Sequence, residues 1–178
     1  MKPSTVSYRY AKAYFQNSIE DNSIDTVFND FLLLLDVFSS VKEIKTILAN
    51  PIIKKDKKIE IIEEIFKNKV NQKTLKFLIF VIEQNRADIL KYVIEKFVDL
   101  YYDYKGIIQA EIKSYIELTT EQKQNLINKL ERITNKKINC KFYVENNIGG
   151  GFIIYLNDLV YDYSFNKQII KLRAELLK

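Results

Sequence analysis

The stretch Ile148-Gly149-Gly150-Gly151-Phe152-Ile153-Ile154-Tyr155-Leu156 holds three of the chain's four glycines and leads directly into a run of apolar residues. Glycine lacks Cβ, so it permits positive φ angles and the close approach of another backbone segment. Phe152, Ile154 and Leu156 fall on one face of a predicted strand. Asn157-Asp158 is a turn signal, and the four residues after it predict a second short strand. The stretch therefore predicts a hairpin that is entered through glycine.

The same glycines raise the question of a phosphate-binding loop. A Walker loop needs a Lys-Ser/Thr pair after its last glycine, and a dinucleotide-binding loop opens directly into a helix. Here Phe152 follows and begins a strand. We therefore interpret Gly149, Gly150 and Gly151 as structural residues that form a bulge or a tight entry into a sheet.

The residue types present exclude several kinds of chemistry. The 178 residues include no histidine and a single cysteine, Cys140. Ser-His-Asp and Cys-His nucleophile systems therefore cannot form, and a structural zinc site would lack ligands. Glu63-Glu64 has the pattern of a solvated helix face rather than of an acid–base pair. The sequence predicts no catalytic residue, no cofactor and no metal.

The formal net charge of +5 leaves nucleic-acid binding to be considered. The densest basic run is Lys54, Lys55, Lys57 and Lys58, and acidic residues follow it within two helical turns. Clustered lysines without a recognisable binding module usually keep a surface solvated. We therefore expect no nucleic-acid partner.

Membrane insertion and targeting are not indicated by the sequence. Uninterrupted apolar runs such as residues 31–35 are far shorter than the roughly 20 residues that a spanning helix needs. The N-terminus does not have the charged-then-apolar pattern of a signal peptide. We expect the chain to remain on the side of the membrane where it is made.

The first 105 residues predict six helices. Apolar residues recur at intervals of three and four from Thr5 to Tyr104. Asn50-Pro51 ends the third helix, and Asp56 is a candidate cap for the fourth. The fifth, from about Gln72 to Glu83, is apolar on nearly all sides, which indicates full enclosure or a face reserved for another protein. The pattern predicts an N-terminal six-helix bundle over residues 1–105.

The hydrophobic period changes from 3.6 to 2 at Ile107, which places the domain boundary near Lys105-Gly106. A long strand is predicted from Ile108 to Leu118. A capping box at 119–122 begins the next helix, and residues 138–144 form a strand whose inward face carries Ile138, Cys140, Phe142 and Val144. Ser164 is a candidate cap for a final helix with Ile169, Leu172 and Leu176 on one face. Residues 106–178 thus predict a small α+β domain.

The chain resembles the δ subunit of the proton-translocating ATP synthase, whose mitochondrial relative is the oligomycin-sensitivity-conferral protein. The order and spacing of five segments carry the resemblance, which spans nearly the whole chain. These segments are Arg9 to Phe15; Asn50-Pro51; Glu83 to Arg86; Ala110-Glu111-Ile112 with Leu118-Thr119 and Gln122; and the glycine hairpin ending in Val160 to Ser164. Tyr163 stands where the family usually has a small residue, and Gly151 extends the usual pair of glycines.

The resemblance implies a non-catalytic stator subunit. The helical domain would bind the N-terminal helical segments of the α subunits of the catalytic head, and the C-terminal domain would bind peripheral-stalk subunits. Such a connector resists the torque of the rotor, so that proton flow drives ATP synthesis. Contact with the membrane would be indirect, at the cytoplasmic face of a bacterial inner membrane or, for a plastid-encoded chain, at the stromal face of a thylakoid.

The head-binding site is predicted as a groove between the first and fifth helices. Small alanines would let a partner helix approach, and aromatic rings would provide the contact area. The predicted residues are Tyr10, Ala11, Ala13, Tyr14, Phe77 and Phe80. By helical spacing alone, these aromatic residues could equally be core residues.

Two other classes of function remain open at this stage. One is a free-standing helical adaptor or a basic nucleic-acid-associated protein with an α+β tail. The other is an enzyme, although the residue types present do not assemble a recognisable site. A salt titration distinguishes nucleic-acid binding from binding of a helix in an apolar groove. The affinity for phosphates falls steeply as salt is added, whereas the affinity of an apolar groove for a helix changes much less.

Overall fold

The computed structural model describes residues 3–156 and 159–176. The predicted turn at Asn157-Asp158 lies outside these residues, and the side chains of Leu172 and Leu176 are likewise not described. The chain divides into two compact units, Met1–Tyr101 and Tyr102–Lys178, which we call the N-terminal and C-terminal units. Helices occur in both units and the sheet lies in the second, so the protein is an α+β chain in two parts.

The N-terminal unit is built from α-helices and one 3-10 turn, and its last helix runs three residues past the division between the units. The helices are α1 (Pro3–Glu20), α2 (Ile24–Ser40), α3 (Lys42–Ala49), α4 (Lys55–Phe66), α5 (Gln72–Glu83) and α6 (Leu90–Tyr104). The 3-10 turn, Ala87–Ile89, directly precedes α6. Short connections between amphipathic helices let each one turn its apolar side towards a shared interior.

The ends of these helices follow local chemistry. Asn71 caps α5, because its side chain accepts a hydrogen bond from the backbone N–H two residues later at 2.9 Å. The residue before Pro51 is extended, and α3 ends there as predicted. The prediction that Asp56 caps α4 is wrong. The helix begins at Lys55 with Lys54 in the capping position, and Asp56 lies in the first turn, where its charge suits the helix dipole.

Aromatic rings fill the centre of the N-terminal unit. Phe31, Phe66 and Phe97 are completely buried, and the rings of Phe31 and Phe97 stack with their centroids 3.9 Å apart. Burying a side chain of this size stabilises a fold by about 2 to 3 kcal/mol. The N-terminal unit therefore has a substantial core of its own.

In its described residues, the C-terminal unit combines a four-stranded sheet with two α-helices. Its elements are β1 (Ile108–Ser114), α7 (Thr120–Thr134), β2 (Ile138–Val144), a 3-10 turn (Asn146–Ile148), β3 (Phe152–Leu156), β4 (Leu159–Asp162) and α8 (Phe165–Leu176). The strand order is β2-β1-β3-β4, with β1 parallel to β2 and antiparallel to β3. β3 and β4 form the predicted antiparallel hairpin.

The core of this unit lies between α7 and one face of the sheet. Ile112 on β1 is completely buried and pairs in register with Phe142 on β2 and Ile154 on β3. α7 connects the parallel strands β1 and β2, and it contributes Leu130 to the core. The predicted capping box at the start of α7 is confirmed, because both of its reciprocal hydrogen bonds form. The βαβ arrangement thus brings one helix onto the sheet.

Three details of the C-terminal unit differ from the sequence predictions. β1 ends at Ser114, because the Ser114 hydroxyl donates to the carbonyl of Ile116 and the chain turns there, leaving Ile116 exposed. Val144, at the end of β2, is exposed rather than inward. Ile169 on α8 is also exposed, since no other described element covers that side of the helix.

Candidate functional site

The predicted contact residues of α1 do not share one face. Ala13 is exposed and Tyr10 is half-buried. Ala11 is completely buried, because helical spacing places it in the same inward stripe as Ser7 and Phe15. Ala11 is therefore a core residue, and we correct its predicted role as a partner contact.

The aromatic residues of α1 and α5 meet in pairs. The rings of Tyr14 and Phe77 stack with centroids 4.1 Å apart and planes 12° from parallel. Further along, the ring centroids of Tyr10 and Phe80 are 6.3 Å apart, and Phe80 is 46% exposed. These rings occupy the space between the two helices. The result is an apolar face, which we call the aromatic surface and define as Tyr10, Ala13, Tyr14, Phe77 and Phe80.

The aromatic surface continues inward to the core. The ring of Tyr14 lies 5.8 Å from that of Phe31 and 5.9 Å from that of Phe97, measured between centroids. Exposure rises along this path, from the fully buried Phe31 to the half-buried Tyr14 and then to Phe80. Tyr14 therefore serves the core and the surface at once, while Phe80 presents apolar area to the outside.

Behind the aromatic surface runs a chain of hydrogen bonds. The Tyr14 hydroxyl donates to Oγ1 of Thr74 at 3.4 Å, and the Thr74 hydroxyl donates to Oδ2 of Asp30 at 2.6 Å. The same Asp30 oxygen accepts from the backbone N–H of Asn71 at 2.9 Å. Burial raises the pKa of Tyr14; the hydrogen bond with Thr74 opposes this rise, while the charges of Asp30 and Asp21 add to it. The Tyr14 hydroxyl is therefore a neutral donor at physiological pH.

The C-terminal unit has an apolar groove between α7 and the sheet. It encloses a cavity of about 550 Å³, and several of its lining residues are exposed, among them Ile133 at 69%. The lining comprises Ile108, Leu126, Lys129, Leu130, Ile133, Thr134, Phe152, Ile154, Leu156, Leu159, Tyr161 and Tyr163. We call this the α7 groove.

The α7 groove extends towards the start of the helix. A second cavity, of about 490 Å³, shares Leu126, Lys129 and Phe152 with the first and reaches back to Gln122. The two together follow α7 from Gln122 to Thr134, a length of about 18 Å at the helical rise. This length corresponds to roughly three turns of an α-helix.

Comparison with known proteins identifies the family. The family model described as ATP synthase delta (OSCP) subunit matches residues 6–176. The chain belongs to the ATP synthase delta (OSCP) subunit family. It is 36% identical to the ATP synthase subunit delta of Chlorobaculum tepidum over 177 residues, which cover 99% of this chain and 98% of the relative.

Two further comparisons agree with the family assignment. The chloroplastic ATP synthase subunit delta of Trieres chinensis is 29% identical over 97% of this chain and 93% of its own length. A chain in a cryo-EM structure of the Toxoplasma gondii mitochondrial ATP synthase hexamer shares the fold, with a TM-score of 0.79, 17% identity and 97% of each chain covered. The predicted resemblance to the δ subunit is confirmed.

Family membership establishes the general role. The chain is a non-catalytic stator subunit of ATP synthase that connects the catalytic head to the peripheral stalk. It is part of a membrane-associated complex, and no helix among its described residues is long and apolar enough to cross a membrane.

In this δ-family chain the glycine stretch holds the hairpin against the start of α8. Gly149, Gly150 and Gly151 have φ angles of +72°, +133° and +77°. A Cβ on Gly151 would overlap the backbone carbonyl oxygen of Tyr163, so another side chain cannot be accommodated without moving the backbone. The Gly150 carbonyl accepts the backbone N–H of Phe165 at 2.9 Å. The close backbone approach accounts for glycine here without a bound phosphate.

The δ-family chain has other residues whose chemistry could suggest a site: the single cysteine, the acidic residues and the basic run. Burial raises the pKa of the Cys140 thiol to about 11, which makes it a weak nucleophile at neutral pH. Within the described part of the chain, no group of three or more acidic, histidine or cysteine residues could hold a metal. In the basic run, the buried Lys58 donates to the carbonyl of Leu48 at 2.7 Å and Lys57 pairs with Glu60 at 2.8 Å.

Sequence reasoning missed two parts of these surfaces. Asp30 and Thr74 were not singled out, because nothing local shows that residues 44 positions apart are hydrogen-bonded. The α7 groove was also missed. Two sequence features could have indicated this groove. One is the apolar side of α7, which lies in a small domain with few other apolar elements to pack against that side, and the other is the apolar residues of β4.

Proposed function

We propose that the N-terminal unit binds the catalytic head through its aromatic surface, taking up the N-terminal helical segments of the α subunits. The exposure of Phe80 beside Tyr10 supports this, because exposed aromatic rings provide large apolar contact areas and tyrosine is enriched among the residues that contribute most binding energy at protein interfaces. Ala13 is exposed and small, so a partner helix can approach α1 closely there. An amphipathic helix laid across α1 and α5 fits this face.

The C-terminal unit, in this proposal, binds a helix of the peripheral stalk in the α7 groove. The groove is lined mainly by apolar side chains, is about 18 Å long and has Lys129 in the lining of both of its cavities. An amphipathic helix of about three turns would cover the exposed side chains of Ile133 and Leu159. Lys129 favours a partner that carries an acidic residue near the middle of this segment.

The two attachments give the stator its mechanical role. We propose that residues 1–105 form one six-helix bundle, that residues 106–178 form a separate domain, and that Gly149, Gly150 and Gly151 keep the second domain's hairpin in shape. A connector held at the head by one domain and at the stalk by the other opposes rotation of the head. Torque from proton flow then drives ATP synthesis instead of turning the whole complex.

The location and remaining partners follow from this role. We propose that the complex faces the cytoplasm at a bacterial inner membrane, or the stroma at a thylakoid if the chain is plastid-encoded. No nucleic-acid partner is expected, since two lysines of the basic run, Lys57 and Lys58, already bind groups within the N-terminal unit.

The aromatic surface is tested by placing the same charge at two neighbouring alanines. Ala13→Asp should weaken binding of a synthetic peptide with the α subunit's N-terminal sequence by about 2 kcal/mol, because the interface would bury an unpaired charge. Its melting temperature should stay close to that of the wild type, since Ala13 is exposed. Titration calorimetry and thermal melts measure the two effects separately.

Ala11→Asp is the matched control. Ala11 is completely buried, so the carboxylate should unfold the N-terminal unit rather than alter binding selectively. Unchanged peptide affinity in Ala13→Asp would exclude this part of α1 from the contact. Failure of the wild type to bind the peptide would reject the aromatic surface as the head-binding site.

The domain division is tested with a fragment of residues 1–105. We expect a cooperative melt and a purely helical circular dichroism spectrum, because the large buried rings Phe31, Phe66 and Phe97 all lie within this segment. A molten or aggregated fragment would contradict the proposed boundary.

A further inference from the structure

Three helices of the N-terminal unit meet at one chain of polar groups. Asp30 lies on α2, Thr74 on α5 and Tyr14 on α1, and hydrogen bonds of 2.6 Å and 3.4 Å connect them in that order. Thr74 is completely buried. Its hydroxyl proton goes to Asp30 while its oxygen accepts from Tyr14, so this single side chain links the two other helices.

The position of Thr74 ties this chain to the aromatic surface. Thr74 precedes Phe77 by three residues on α5, so the two side chains lie on the same side of the helix. Phe77 in turn stacks on the ring of Tyr14, whose hydroxyl contacts Thr74. The contacts of Tyr14 with Thr74 and Phe77 therefore fix both the rotation of α5 about its axis and the orientation of the Tyr14 ring.

Asp30 adds a constraint at the start of α5. Its Oδ2 atom accepts the backbone N–H of Asn71, the N-cap residue of that helix, as well as the Thr74 hydroxyl. The salt bridge between Lys73 and Asp21, at 2.8 Å, also reaches α5, but both side chains are at least half exposed and such pairs contribute little. The partly buried carboxylate is thus the firmer link between α2 and α5.

We propose that Asp30, Thr74 and Tyr14 act together as a positioning element that sets the spacing of α1 and α5 for the partner helix. This inference rests on the proposed function of the aromatic surface. Asp30 and Thr74 do not contact the partner themselves. They hold Tyr14 and Phe77 in the stacked arrangement from which Tyr10 and Phe80 project.

The test is a set of conservative changes in the full-length chain, with the α-subunit peptide as the probe. Thr74→Val keeps the side chain's shape and removes both hydrogen bonds of the hydroxyl. We expect peptide affinity to fall roughly five- to tenfold at a temperature well below the melting transition. Thr74→Ser restores the hydroxyl and should recover most of the affinity. Tyr14→Phe keeps the ring and loses one bond, so its loss should be smaller than that of Thr74→Val.

Tyr101→Phe is the matched control, because it removes a 2.7 Å hydrogen bond from a tyrosine hydroxyl to Asp25 outside the aromatic surface. It should lower the melting temperature and leave peptide affinity unchanged. Equal affinities for Thr74→Val and the wild type would overturn the positioning role, as would a loss that Thr74→Ser does not recover. A wild-type chain that does not bind the peptide would instead overturn the proposed function on which the inference rests.

Discussion

The two units of the chain bury their apolar residues to very different extents. Among the described residues, eleven of the twelve largest fully buried side chains lie in the N-terminal unit, and Ile112 is the exception. Of the nineteen large apolar side chains that the structure describes as exposed, thirteen lie in the C-terminal unit. The N-terminal unit thus has a substantial interior of its own, whereas the C-terminal unit leaves a larger share of its apolar side chains exposed.

Size and architecture explain this difference. A domain of fewer than 80 residues buries a smaller share of its surface than a larger one. In the C-terminal unit, moreover, every described side chain of α8 is exposed, which leaves α7 as the helix that contributes a buried residue against the sheet. We therefore expect the C-terminal unit to be the less stable of the two in the isolated subunit.

The largest expected effect comes from making the same substitution in both cores. Leu78→Ala, at a fully buried position of α5, should destabilise its unit by about 4 kcal/mol, because the dense packing around it cannot close the cavity. Leu130→Ala, on α7 beside the open groove, should cost about 2 kcal/mol, since neighbouring side chains can relax into the space.

Denaturant unfolding of both variants measures this difference. Far-ultraviolet circular dichroism follows the helices, and hydrogen exchange assigns each loss to one unit. Equal costs at the two positions would contradict the contrast in packing. A peripheral-stalk peptide should stabilise the C-terminal unit selectively if the α7 groove is its site.

Replacing either of two glycines that have similar φ angles with alanine should lower the free energy of unfolding by a smaller amount. Gly106 and Gly151 have φ angles of +65° and +77°, but an added Cβ meets open space at Gly106 and the Tyr163 carbonyl at Gly151. Gly106→Ala should therefore cost about 1 kcal/mol, from backbone strain alone. Gly151→Ala should cost about 3 kcal/mol, because the hairpin must also move away from α8.

Thermal unfolding of the two variants compares these costs directly. Loss of peripheral-stalk binding in Gly151→Ala, with peptide binding by the aromatic surface intact, would localise the damage to the C-terminal unit. Nucleotide binding by the wild type that this variant lacks would instead support a phosphate loop.

The smallest effect concerns the thiol of Cys140 on β2. Its pKa is raised by burial from 9.0 to about 11, so the folded state favours the neutral thiol. Its contribution to stability is present below pH 9 and is lost as the pH rises from 9 to 11. The rate of reaction with a disulfide reagent should rise roughly tenfold per pH unit up to about pH 11. A plateau near pH 9 would indicate that the C-terminal unit is open at β2.

Much of the secondary structure could be predicted because its signals are local. β2 has the predicted bounds, Ile138–Val144, and the hairpin of β3 and β4 forms where the glycines and the turn signal indicated. The predicted capping box at Thr119 depends on contacts within one helical turn. Such features do not require knowledge of distant residues.

The candidate sites were less predictable. Ala11 and Ala13 are the same residue type two positions apart, yet one is buried and the other exposed. Their small side chains suggested that both alanines contact a partner helix. Their positions around the helix axis place Ala11 on the buried side of α1 and Ala13 on the exposed side. Ile169 and Val144 lie on apolar stripes that predict burial, but both side chains are exposed.

The sequence by itself determined the order of the elements, the hairpin, the absence of histidine chemistry and the membership in the δ family. Tertiary structure alone decided which apolar faces remain uncovered and which distant polar residues meet, as Tyr14 and Thr74 do across 60 positions. Periodicity specifies the apolar side of an element, but not what will pack against it. That depends on the three-dimensional arrangement of the elements, and here it leaves apolar side chains of the α7 groove and the aromatic surface exposed.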